Sequence, residues 1–171
     1  MKTTDLNTSE FAPFYKNYIT KLGDVELIET LTNSHNLLAE IIRKLPEDKL
    51  NYSYAKDKWT IKEMLQHLID TERIMSYRAL RFSRNDQTEI PGFNEDFYVE
   101  NSNGKTRTKK SLQNEFSLVR NSTIALFNSF SEIMLTKIGN ANNNKMSVRA
   151  LGFVIAGHQM HHLKVLQEKY L

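Results

Sequence analysis

The sequence predicts an all-α fold, a four-helix bundle arranged up-down-down-up with one long crossover between its second and third helices. Three observations lead there. Apolar residues recur at alternating three-and-four spacing in four separate segments, which keeps them on one helical face. The segments are bounded by a proline, a capping box or a polar turn. The connection from Asn85 to Lys110 is far longer than the roughly two to eight residues usual between bundle neighbours. At 171 residues the chain reads as one domain, residues 1–171, with an N-terminal arm over 1–23 and a crossover loop over 85–110.

The first helix is predicted from Asp24 to about Leu45, with Ile28, Leu31, Leu38, Ile42 and Leu45 on its stripe and Pro46 ending it. The second opens on "TIKE", where Thr60 as N-cap and Glu63 three residues later form a capping box, and runs to about Arg84. The third covers Ser111 to about Phe130, with Leu112, Phe116, Val119, Thr123, Leu126 and Phe130 inward. The fourth follows the turn "GNANNNK", takes Ser147 as its cap and continues almost to the last residue. Ahead of them, the aromatic arm "FAPFYKNYI" is expected to pack against the bundle.

Composition narrows the function classes. The net charge is only +3 and no apolar run approaches the roughly 20 residues of a membrane span, so neither nucleic acid nor a membrane is an expected partner. The basic run "KTRTKK" is short and lacks interleaved aromatics, and reads as a solvated loop. The first residues show no secretory h-region, which points to the cytoplasm. Without cysteine, any metal must be held by His, Asp or Glu.

Three of the five histidines fall within "GHQMHH". His158 and His162 are one turn apart and about 40° from each other around the helix, so both face the core and can aim at one point. His161 lies about 60° to the other side of His158 and is the weaker ligand. A third imidazole, His67, stands roughly 10 Å from the start of the second helix, while His158 and His162 stand about 15 and 9 Å from the end of the fourth. The levels match only if those two helices are antiparallel, which the long crossover permits. His35 falls on the apolar face of the first helix at the same level and is read as a core histidine.

At these residues the chain resembles a known family. "KWTIKEMLQHLIDTERIMSYRALR", "PGFNEDFYV" and "SVRALGFVIAGHQMHHLKVLQEKYL" are similar to the DinB-like, YfiT-like superfamily of metal-dependent hydrolases, over nearly the whole chain. The resemblance implies a four-helix bundle in which His67, His158 and His162 hold a divalent metal ion. It departs at Asn94, where the family more often carries aspartate. Relatives of this type also include thiol transferases and a thiol-dependent isomerase.

Three imidazoles leave a tetrahedral ion one open position, the pattern of a catalytic rather than a structural site, and suit Zn, Ni or Fe. Such a centre activates water or a thiol, so the expected function is hydrolysis or thiol transfer on a small cytosolic molecule. The alternative is a non-catalytic metal- or ligand-binding bundle. Asp70, three residues beyond His67, is expected to orient its imidazole, while Glu63 serves the capping box. The crossover is expected to gate the open position, with Asn94, Phe93, Phe97 and Tyr98 over it. Apolar residues outside the stripes, Leu27, Leu37, Ile41, Leu118 and Phe127, suggest a homodimer.

Overall fold

The computed structural model describes residues 1–171. Its four long helices are α2 (Leu27–Lys44), α3 (Ile61–Ser83), α5 (Lys109–Asn128) and α7 (Val148–Val165). Short helices α1 (Lys16–Thr20), α4 (Glu95–Glu100) and α6 (Glu132–Leu135) lie between them, and a π-helical turn, Leu166–Tyr170, extends α7. No helix is long and apolar enough to cross a membrane.

Local chemistry sets the helix ends. Thr60 and Glu63 form the reciprocal capping box at the start of α3, with Glu63 Oε2 accepting from the Thr60 N–H at 2.8 Å. The third long helix starts two residues before its predicted position, because Thr108 is its cap and accepts from the Ser111 N–H at 3.2 Å. Ser147 caps α7 as expected, but the asparagine-rich turn ahead of it is a β-hairpin. Its strands, β1 (Ile138–Ala141) and β2 (Asn144–Ser147), meet at Asn142 and Asn143, which both take positive φ. Asparagine tolerates that conformation, which a two-residue hairpin turn requires twice. Four-residue strands are too short for alternation to reveal them in the sequence.

α2 packs on α5 and α7, and α3 packs on the same two helices, so α2 and α3 lie diagonally across the bundle. Paired contacts give the directions. Along α3 and α5, Gln66 meets Arg107, Arg73 meets Glu115 and Ser76 meets Thr123, so the two run in the same sense. Along α2 and α5, Leu31 binds Arg120, His35 stacks on Phe116, and the Arg43 and Leu45 carbonyls bind Lys109, so these are antiparallel. Trp59 ahead of α3 meets Tyr170 beyond α7, whereas Ser83 at its far end meets Lys137 upstream of α7, so this pair is antiparallel too.

Two apolar clusters fill the interior. One includes Leu27, Leu31, Met75, Phe82, Phe127 and Val154; the other includes Leu38, Ile42, Leu65, Leu112, Phe116 and Leu163. Between them lies a polar layer with one residue from each long helix, Ser34, Glu72, Arg120 and Gln159, all buried. Leu27 and Phe127, expected at the surface, are in the core because both reach over Gly152, which has no side chain to exclude them. Of the residues that suggested a homodimer, Leu37 and Leu118 stay exposed.

The crossover contains regular structure. Ile90 pairs with Ala141 of the hairpin, and α4 forms its middle. In the basic run, the exposed Lys105 meets Glu63, Arg107 meets Gln66 and Glu115, and Lys109 binds the end of α2, while Lys110 stays exposed.

The arm packs on α7 through Gly157, where an added Cβ would lie 2.2 Å from the Tyr18 carbonyl oxygen. A backbone atom on a packed helix cannot yield cheaply. Gly157→Ala is therefore expected to lift α1 from α7 at a cost of about 1–3 kcal/mol, read as a lower urea midpoint. An unchanged midpoint would refute this close packing.

Candidate metal centre

His67 projects from the second turn of α3, and His158 and His162 project from successive turns of α7 toward it. Their Nε2 atoms converge: His67 to His158 is 3.0 Å and His162 to His158 is 3.2 Å. All three possible ligand atoms lie within 4.8 Å of one another. A tetrahedral ion bonded at about 2.0–2.1 Å to imidazoles sets its nitrogens about 3.3 Å apart, so this cluster fits one ion. Hydrogen bonding satisfies it less well, since the single lone pair of His158 Nε2 faces two neighbours.

Aromatic rings fix the imidazoles. The Trp59 indole lies nearly parallel to His162, with centroids 6.5 Å apart, and tilts against His67 at 4.7 Å. The Tyr170 hydroxyl donates to the Trp59 backbone carbonyl at 2.6 Å, which ties the segment that carries the indole to the turn beyond α7. From the other side, Tyr18 meets His158 and His161 edge-on, both at 5.6 Å. The histidines open into a cavity of about 340 Å³ between α3, α7, the arm and the crossover.

The remaining expectations fare differently. Asp70 does not contact His67: its Oδ1 accepts from Gln66 Nε2 at 3.0 Å, and it lines a separate surface cleft with Arg73 and Tyr98. The residue against His67 Nδ1 is Thr71, whose Oγ1 lies at 3.5 Å, the outer limit of a hydrogen bond. Four residues on, a side chain stacks about 40° from His67, whereas three residues on it is about 60° to the other side. Asn94 caps α4, accepting from the Phe97 N–H at 2.8 Å. Phe93 lines the histidine cavity, but Phe97 and Tyr98 face the Asp70 cleft. His35 stacks on Phe116, away from the cluster. His161 stands at the rim of the cavity outside the three-nitrogen group.

The model of the DinB superfamily matches residues 30–166. The chain belongs to the DinB superfamily. A relative of this DinB protein from Oceanobacillus iheyensis, named "Putative metal-dependent hydrolase", is 23% identical over 138 residues, or 80% of this chain and 77% of the relative. Among solved structures, the DinB fold described here is similar to YfiT from Bacillus subtilis, with a TM-score of 0.75 and 15% identity over 83% of this chain and 82% of that one. That protein is described as "a probable metal-dependent hydrolase with an unusual four-helix bundle topology".

Burial sets the protonation of the DinB histidines. It pushes His67 down to about 4 and His162 down to about 3, the latter helped by the His67 and His161 rings beside it. His158 is held well below the usual imidazole range by burial and by its three neighbouring histidines. All three are neutral at neutral pH, as ligation requires. Metal should thus be retained well below the ordinary histidine pKa of about 6.5, at which the sequence alone would place its loss.

The same shifts make the metal-free fold acid-sensitive. The unfolded imidazoles protonate near pH 6.5 and the folded ones only at lower pH, so the unfolded chain binds more protons in between. Stability is full above about pH 6.5 and falls as the pH drops toward the folded values. Burial lowers His35 and His161 as well, which adds to the effect. Chelator-treated protein should melt at a lower temperature at pH 5 than at pH 7; equal melting temperatures would contradict these shifts.

Proposed function

We propose that this DinB protein is a metal-dependent enzyme that hydrolyses a small molecule, with one divalent ion held by His67, His158 and His162. The convergence of three imidazole nitrogens within 4.8 Å at an open cavity carries the reading. When bound, a Zn, Ni or Fe ion with three imidazole ligands supplies Lewis acidity that activates water or a thiol near neutral pH. The chain supplies the rest. Trp59 and Tyr18 orient the imidazoles and exclude bulk water from one side of the cluster. His161, kept neutral by burial and by the Lys21 charge, lines the cavity where a proton can be taken and returned. The descriptions of the relatives agree with this chemistry.

Metal analysis of untagged protein is the first test, and one equivalent per chain is expected. Turnover is then measured on ester and amide substrates, and on a chlorinated aromatic electrophile with and without a low-molecular-weight thiol. Turnover with water alone supports hydrolysis, whereas turnover only with thiol replaces it by thiol transfer. Protein without stoichiometric metal refutes the reading. Metal without turnover, together with equal ligand binding by wild type and His162→Ala, makes the protein a non-catalytic binding bundle.

A further inference from the structure

We propose that Arg78 binds a carboxylate of the substrate in the cavity that also holds the three histidines. The proposal rests on the reading above only for which end of the cavity is reactive.

Arg78 is 2% exposed and forms no ion pair within the protein. The other deeply buried arginine, Arg120, is paired with Glu72 and bonded to Ser34 and the Leu31 carbonyl, four of its five N–H donors in all. By contrast, Arg78 Nη2 donates to the Pro91 carbonyl at 3.1 Å, Nη1 has the Met75 sulfur at 3.6 Å, and Nε has no partner. Burial lowers its pKa, and the group that acts to raise it again, partly by a side-chain hydrogen bond, is the Tyr15 hydroxyl rather than a carboxylate. A buried cation without a counter-charge is costly, and a ligand anion would supply that charge.

Its position suits that role. Arg78 lies eleven residues beyond His67, three turns on and about 20° around α3, so both side chains face the same cavity with Thr71 and Met75 between them. The axial separation is about 16 Å, and the arginine side chain leans back toward the histidines, as helical side chains do. The walls between include Tyr15, Phe93 and Val154, and the one lining carboxylate, Glu95, is exposed. Nε–H has no partner and Nη1 meets only a sulfur and, beside it, the neutral Tyr15 hydroxyl, so the guanidinium keeps donors to offer the two oxygens of a carboxylate. A single unpaired positive charge in a cavity of about 340 Å³ suits a small monoanion.

The only tryptophan, Trp59, lines this cavity and reports its occupancy by fluorescence. 4-Phenylbutyrate, its uncharged amide and phenyl phosphate are titrated into the protein as purified and after chelation, so that direct binding of the acid to an ion is separated from binding to Arg78. The acid is expected to bind at least tenfold more tightly than the amide in both forms. Arg78→Gln should abolish that preference without changing metal content, and Arg78→Lys should keep part of it. Equal affinity for acid and amide in chelated wild type overturns the proposal, whether or not the variants fold. So does a preference that survives Arg78→Gln unchanged, or tighter binding of phenyl phosphate than of the acid. If no stoichiometric metal is found but the acid preference persists, the metal reading fails and this one stands.

Discussion

Glu72→Ala is expected to lower the unfolding free energy by about 3–5 kcal/mol, the cost of leaving a buried charge without its partner. Arg120 is fully buried and Glu72 nearly so, and they meet in a two-pronged pair with Nε to Oε1 at 2.8 Å and Nη2 to Oε2 at 2.7 Å. Arg120 Nη1 also donates to the Leu31 carbonyl at 2.8 Å and to Ser34 Oγ at 3.1 Å. Gln159 Nε2 donates to the Ser34 carbonyl at 2.6 Å, so the network joins α2, α3, α5 and α7 at one level. Removing the carboxylate leaves the guanidinium with neutral acceptors in a place water does not reach. Domains of this kind have a total stability of about 5–15 kcal/mol, so the variant should unfold at much lower urea concentration. The double variant Glu72→Ala/Arg120→Met should be more stable than Glu72→Ala alone, because it removes the stranded charge. A loss below about 1 kcal/mol in the single variant would show that the layer contributes little.

The second large effect is on metal content and turnover. Replacing His67, His158 or His162 by alanine should abolish stoichiometric metal and, with it, activity. Two imidazoles cannot close the three-nitrogen arrangement, and the lost ligand comes from a different helix or turn in each case. His161→Ala should keep the metal, since its ring stands outside the group, 5.1 Å from the His162 ring. Calorimetric titration with zinc after chelation gives the affinity for each variant. Metal retention in His67→Ala would refute a site shared between α3 and α7 and leave at most a pair on one helix.

Much of the fold is legible in the sequence because its determinants are local. The three-and-four spacing and the Thr60–Glu63 box define helices before any partner is known, and both recur in the structure within a few residues. The face shared by His158 and His162 follows from their separation of one turn. Other features depend on which helices touch. Leu27 and Phe127 are buried because of Gly152, a residue on a third helix that leaves room for both. Asp70 is turned away from His67 toward a cleft made by the crossover, and Thr71 takes the place beside the imidazole. Arg78 carries a sequence signal that could have been used, its three-turn spacing from His67, but spacing cannot show whether a carboxylate waits opposite.

The sequence by itself determined the four long helices, most of their inward stripes and the candidate histidines, since all three depend on periodicity along one chain. Only the tertiary structure decided that Arg120 has its counter-charge in Glu72 while Arg78 has none, that Tyr18 of the arm closes on His158, and that three nitrogens converge. Helical period tells which way a side chain points. What it meets there is set by the order and height at which the helices pack, and those are fixed by contacts between residues far apart in the chain.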